Sequence, residues 1–349
     1  MNHVIENKFI DFLVRDLPRS PYQKNALQES DAELVQIPGT ETILAITTDS
    51  IIEEIETGLY TDPFLIGWMT VMVNASDLAA VGAEPLGILL NETLPKGLTE
   101  SFIMKIQSGI KEACEICNMP VLGGDTNHSS SFQMGGSAIG IVSKNKLLTR
   151  VGCQPGDILF ISAKPGSGNS FAVSILADKT SGLLPVVSYK PYARLMEGKM
   201  LAGYATSCMD SSDGFIATID QLMRSNNTGF IIDFFPEDFI HPETLNFSHI
   251  ANIPPWMFLA GIHGEFELVF TVPREKVTQF TAQAHAAEWY PVRLGTVIRD
   301  NELQMRIYNS YIKADTALIR NLFDTTRGNI KECLAELFKI DQQWKSQTL

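Results

Sequence analysis

Short β-branched apolar runs alternate along this chain with longer stretches of helical period. Residues 31–48 predict two strands around a Pro38-Gly39 turn; the second, 43–48, stops on Asp49. Open α/β sheets place their chemistry at strand ends, so a carboxylate there is a candidate site residue. The stretch 64–81 is apolar nearly all round and predicts a helix buried on most sides, with Asp62 as its cap and Pro63 in its first turn. Asn74, Ser76 and Asp77 interrupt that apolar stretch. Leaving such groups unpaired costs on the order of several kcal/mol, so the three require partners in the fold or a ligand. A strand at 86–90, a helix at 99–117, a strand ending on Gly123-Gly124-Asp125 and a glycine-bearing strand at 132–142 complete the first half.

Over 144–157 the composition turns polar and rich in glycine and proline, which marks a domain boundary. Beyond it the pattern predicts strands at 158–162, 228–233, 267–272 and 292–298, and helices at 189–204, 215–224 and 273–287. The segment 315–344 reads as helical with an amphipathic face. The chain therefore divides into 1–148, 149–310 and a helical extension over 311–349, in a mixed α/β class with helices laid on sheets.

The 349 residues, 45% hydrophobic, suffice for two well-filled cores. A formal net charge of −13 argues against nucleic-acid and anionic-membrane surfaces. No apolar run reaches the roughly 18 residues of a membrane span, and the acidic start reads as an amphipathic helix, not as a secretory leader. Five scattered cysteines suit a reducing cytoplasm. Cys114 and Cys117 form a C-x-x-C, but they fall on a helical pattern with no second pair to complete a zinc site. The six histidines show no H-E-x-x-H spacing. The loop 164–170, KPGSGNS, can present amides to an anion, yet it lacks the Lys-Ser/Thr of a Walker motif.

Three apolar strands thus end on carboxylates beside glycines: Asp49, Asp125 and, in MDSSDG (209–214), Asp210 and Asp213. Hard oxygen donors without matching Lys or Arg resemble a Mg²⁺ site shared with nucleotide phosphates. For MDSSDG an alternative stands, since Ser211, Ser212 or Asp213 could cap the following helix. Capping uses one side chain, whereas four polar ones cluster here; Asp213 is the first candidate for metal or substrate contact.

The order TTD (47–49), VNASDLAAVGA (73–83), GGDT (123–126) and MDSSDG resembles thiamine-monophosphate kinase, within the superfamily of aminoimidazole ribonucleotide (AIR) synthetase. RVGCQPGD (150–157) and FELVFTVP (266–273) extend the resemblance over roughly residues 5–300. It implies a two-domain AIR-synthetase-like fold whose N-terminal sheet dimerises, and Mg²⁺-assisted phosphoryl transfer from ATP to a small phosphorylated metabolite. The implied metal ligands are Asp31, Asp49, Asp77, Asp125 and Asp213. Asn74, Gly124, Asp125, Thr126 and Arg150 are implied at the nucleotide, and Asp210, Ser212 and Asp213 at the acceptor. His263 and Glu265 are expected to border the substrate. One departure is Ser30, which stands beside Asp31 where the family has a second Asp. It leaves open an enzyme using ATP on another acceptor, or a non-catalytic nucleotide-binding relative.

Overall fold

The Asp62 side chain accepts the Phe64 amide, Pro63 occupies the first turn, and the central helix runs Pro63–Ala80, as its sequence predicts. The computed structural model describes residues 3–177, 184–261, 263–307 and 310–347. Its elements begin with α1 (Ile5–Val14), β1 (Glu33–Gln36), β2 (Thr42–Ser50), α2 (Ile52–Glu56), α3 (Pro63–Ala80), β3 (Glu84–Pro95), α4 (Glu100–Cys117), β4 (Val121–Ser129) and β5 (Gln133–Ser143). Next come β6 (Ile158–Ile161), α5 (Ser167–Leu176), α6 (Leu195–Leu201), β7 (Ser207–Asp210), α7 (Phe215–Asn226), β8 (Gly229–Ile232), α8 (Pro236–Phe239) and α9 (Pro242–Ala251). The chain finishes with β9 (Leu268–Val272), α10 (Val277–Ala286), β10 (Val292–Ile298), β11 (Leu303–Ile307), β12 (Ser310–Ala314), α11 (Thr316–Arg320), α12 (Leu322–Thr325) and α13 (Ile330–Gln347).

Two units form. One comprises residues 20–149 with 190–203. Its five strands lie in the order β1-β2-β5-β3-β4, antiparallel except for the parallel β3–β4 pair. Helix α3 buries all but a few of its side chains against the sheet and α4. The α3–α4 contact is backbone to backbone: a Cβ on Gly67 would overlap the Ile106 carbonyl, and one on Gly109 the Phe64 carbonyl. Strands β2 and β4 outrun their predicted ends, so Asp49 lies one residue inside β2 and Asp125 lies mid-strand in β4. Strand β4 is an edge strand, exposed along its whole length.

The helix expected over 189–204 shrinks to α6. Pro191 disfavours helical geometry in the residue before it, and neighbouring groups hold the segment in another path. The Trp68 indole N–H donates to the Pro191 carbonyl at 2.8 Å, while the Lys190 ammonium sits 4.1 Å over the Trp68 ring and 2.7 Å from Glu112.

The other unit gathers the segments up to Arg19, from Arg150 to Tyr189 and from Tyr204 onward. Its seven strands lie in the order β12-β11-β8-β10-β6-β9-β7. Helix α1 belongs here: the Ile5 amide donates to Asn321, and Glu6 pairs with Arg320 at 2.8 Å. Arg320 and Arg224 both reach the fully buried Asp220, which also accepts the Thr316 hydroxyl at 2.6 Å. The expected helical extension from 311 instead opens with the rest of β12 and continues as three helices, broken where Arg327 and Gly328 take positive φ. Helix α13 joins the core through Asp341, which accepts the Trp256 indole N–H at 2.8 Å. Among the described residues no helix is long and apolar enough to cross a membrane.

Replacing glycine by alanine inside a helix ordinarily gains about 1 kcal/mol. At Gly67 and Gly109 the added methyl meets rigid backbone, and overpacking costs about 1–3 kcal/mol or more. Gly67→Ala and Gly109→Ala are therefore expected to lower the stability of the folded protein in urea titration; a neutral or stabilising effect would show that α3 and α4 can separate freely.

Candidate active site

In the first unit, two of the polar residues inside α3, Asn74 and Asp77, find partners on β2. Asn74 is fully buried; its Oδ1 accepts the Asp49 amide at 3.1 Å, and its Nδ2 donates to the carbonyls of Asp49 at 3.4 Å and Thr70 at 3.1 Å. Expected at the nucleotide, its amide is instead spent on backbone, where it fixes the position of Asp49. Close by on α3, Asp77 accepts a short hydrogen bond from the Thr47 hydroxyl. A carboxylate oxygen of Asp31 lies within 4.8 Å of one from Asp77, close enough for one divalent ion to bridge both.

Asp49 is accessible at the end of β2, and its carboxyl accepts the Ser50 amide at 3.0 Å. Crowding by protein around it raises its pKa above the usual carboxylate range, against the opposing effect of that amide. Beside it opens a cleft of about 300 Å³ lined by Thr48, Ser50, Asn91, Gly135 and Ser137. Asp125 sits in register with Asn91, and Asn91 with Gly135, which in turn pairs with Ser50. This row carries polar groups across four strands toward the exposed Asp125, whose carboxylate accepts Asn127 Nδ2 at 2.7 Å. Gly124 packs against the Leu90 carbonyl, where a Cβ would clash. The Thr126 hydroxyl donates to the buried Glu92 at 3.3 Å. Asn91 and Glu92 escaped the sequence reading, although both interrupt the apolar run GILLNETLP.

In the second unit, Arg150 begins a segment whose Arg150 carbonyl accepts Asn226 Nδ2 at 2.8 Å. Asp210 closes β7 and is buried, Ser212 is half-buried and Asp213 exposed. Helix α7 begins at Phe215 with Gly214, which has no side chain to cap with, at its N-cap position. Ser211 Oγ instead accepts the Glu267 amide at 3.0 Å, and the Ser212 carbonyl accepts the Gly264 amide at 2.9 Å.

The glycine-rich loop before α5 already holds an anion-type partner from its own chain. The amides of Gly166 and Gly168 donate to Glu265 Oε1 at 2.7 and 3.3 Å. Burial pushes the Glu265 carboxyl up to about 8, with the Gly166 amide opposing and Glu267 adding to the rise. His263, 4% exposed, lies 5.0 Å from the Tyr189 ring, and burial lowers it to about 4. Burial raises the thiols of Cys114 and Cys117, to about 11 and about 12, which keeps both protonated at neutral pH.

Residues 29–142 match the family model of the AIR synthase related protein, N-terminal domain. The thiamine-monophosphate kinase of Pyrococcus horikoshii is 31% identical over 237 residues, which cover 67% of this chain and 74% of that one. Among solved structures, AaThiL complexed with AMPPCP and TMP superposes with a TM-score of 0.72 at 22% identity, over 88% of this chain and 96% of that one. HypE in the HypE–HypF complex gives 0.71 at 17% identity, over 88% and 99%. Differently named proteins share this architecture, so the fold by itself does not choose among their functions.

A buried histidine held neutral makes stability depend on acid. The unfolded chain protonates near 6.5 and the folded one near 4, so the contribution is complete above 6.5 and is lost as pH falls toward 4. Its slope is on the order of 1.4 kcal/mol per pH unit in that window. His263→Phe, which keeps a ring and cannot protonate, is expected to show a shallower fall in thermal midpoint between these pH values; equal slopes in the two proteins would count against the assignment.

Proposed function

The chain belongs to the thiamine-monophosphate kinase family, and from that membership we propose that it transfers the terminal phosphoryl group of ATP to thiamine monophosphate. The observation that carries this reading is the pairing of family-level identity over most of both chains with the joined β2–α3 arrangement of Asp49, Asn74, Thr47 and Asp77. Such transfers need little covalent help from the protein and depend on positioning and charge stabilisation. An acceptor that already carries a phosphate presents an anionic oxygen near neutral pH, so no side chain has to deprotonate it.

The donors present suit Mg²⁺. Asp31 and Asp77 offer hard carboxylate oxygens within reach of one ion. Asp49, Asp125 and Asp213 are the further carboxylates we assign to metal. When bound, Mg²⁺ neutralises phosphate oxygens and aligns donor with acceptor. Asn74 sets the backbone of Asp49 and Thr47 orients Asp77, so their part is to hold ligands in place. Gly124, Thr126 and Arg150 serve the nucleotide side; Asp210 and Ser212 orient the acceptor.

We assign the protein to homodimers formed through the outer face of the five-stranded sheet. Leu86 and Leu89 on β3 and Val121 and Leu122 on the edge strand β4 are 41–54% exposed, and exposed apolar side chains at a sheet edge invite a partner. The five free cysteines accord with a reducing cytoplasm.

The test is ATP turnover with Mg²⁺ and thiamine monophosphate, with the product identified by phosphorus NMR. Thiamine diphosphate is the expected product, and Asp213→Asn should lower kcat/KM on the order of a hundredfold, as loss of a preorganised charge-stabilising group does. ATP binding without conversion of thiamine monophosphate would overturn the acceptor assignment.

A further inference from the structure

A helix N-terminus with free amides is a ready site for an anion, and the loop before α5 in the second unit has that form. Its amides are taken, however, by a carboxyl that arrives from far along the chain. Glu265 is 3% exposed, its Oε1 accepts from Gly166 and Gly168, and its buried Oε2 has no hydrogen-bond partner among the described residues. Burying a carboxyl with one oxygen unmatched is unfavourable, so the arrangement has to be stabilised by what surrounds it.

What surrounds it is a set of backbone contacts leading to the acceptor motif. A Cβ on Gly168 would overlap the Gly264 carbonyl, and a Cβ on Gly264 would overlap the Ser211 carbonyl. The Gly264 amide donates to the Ser212 carbonyl at 2.9 Å, and the Tyr189 hydroxyl donates to the Gly264 carbonyl at 2.9 Å. Three residues on, the Glu267 amide donates to Ser211 Oγ, while the Glu267 carboxylate accepts the Ser162 hydroxyl. The segment 263–267 is therefore a plate clamped between the glycine loop on one side and Ser211-Ser212 on the other.

We propose that Glu265 is a positioning residue for the acceptor side of the reaction: its accepting oxygen fills the place of a bound ligand at the α5 N-terminus, locks loop 164–170 onto the 263–267 segment and, through Gly264, fixes the backbone of Ser211 and Ser212. A consequence is that the glycine loop binds no phosphate of either substrate. The kinetic part of this inference rests on the acceptor reading given above; the structural part does not.

Two measurements separate them. Hydrogen exchange of the unliganded protein needs no activity: Glu265→Ala is expected to lose protection in both 164–170 and 210–214, and Glu265→Gln, which keeps an accepting oxygen, to restore it. In turnover, Glu265→Ala should raise the KM for thiamine monophosphate about tenfold, a loss of about 1.4 kcal/mol, with the KM for ATP unmoved and the acceptor KM recovered in Glu265→Gln. If Glu265→Ala does not fold, Glu265→Asp, one methylene too short to reach both amides, carries the same contrast. Loss of protection confined to 164–170, or equal changes in both KM values, would overturn the proposal. A wild-type protein inactive on thiamine monophosphate would overturn the acceptor reading and leave the exchange result to judge Glu265.

Discussion

The first unit depends on one constraint: polar side chains buried in an apolar helix must find partners, and Asn74 and Asp77 of α3 find them on β2. Asn74 is fully enclosed, so its amide has no water to turn to, and it bonds both the N–H and the carbonyl of Asp49. The Thr47–Asp77 bond repeats the link between the same two elements. The cost of burying amide and hydroxyl groups is thus offset by fixing the backbone that presents Asp49 and the orientation of Asp77. A carboxylate held this way keeps its geometry before any ligand arrives, which is the condition for catalysis by positioning.

The second unit solves a related problem with glycine. Three stretches of backbone, 164–170, 210–214 and 263–267, approach so closely that side chains at Gly168 and Gly264 would overlap carbonyl oxygens. Packing main chain against main chain leaves little freedom to shift, and the buried Glu265 completes it by satisfying amides that would otherwise call for an ion.

Much of this was legible in the sequence. The apolar run after Asp62-Pro63 announces α3, and the order TTD, VNASD, GGDT and MDSSDG announces the family; of these residues Thr48 and Asp49 line the cleft. Other features were hidden because their causes are distant. Helix α1 docks through Asn321 and Arg320, more than three hundred residues away, and no local pattern carries that. Pro191 does argue against a helix over 189–204, but the Trp68 and Lys190 contacts that set the actual path are tertiary. The partner of the glycine loop lies 97 residues on, so the loop reads from sequence as an open anion cradle. Strands β11 and β12 were missed altogether: they are short, and β11 finds a parallel partner in β8, far back in the chain.

The proposed phosphoryl transfer depends most directly on a divalent ion held by the β2–α3 carboxylates. Calorimetric titration of Mn²⁺ into the protein with a non-hydrolysable ATP analogue tests it, comparing wild type with Asp77→Asn, whose amide oxygen can still accept the Thr47 hydroxyl. The account predicts that the variant folds with a similar thermal midpoint and binds Mn²⁺ at least about tenfold more weakly, the scale expected when a charged ligand becomes neutral. Unchanged Mn²⁺ affinity in a folded Asp77→Asn protein would contradict it.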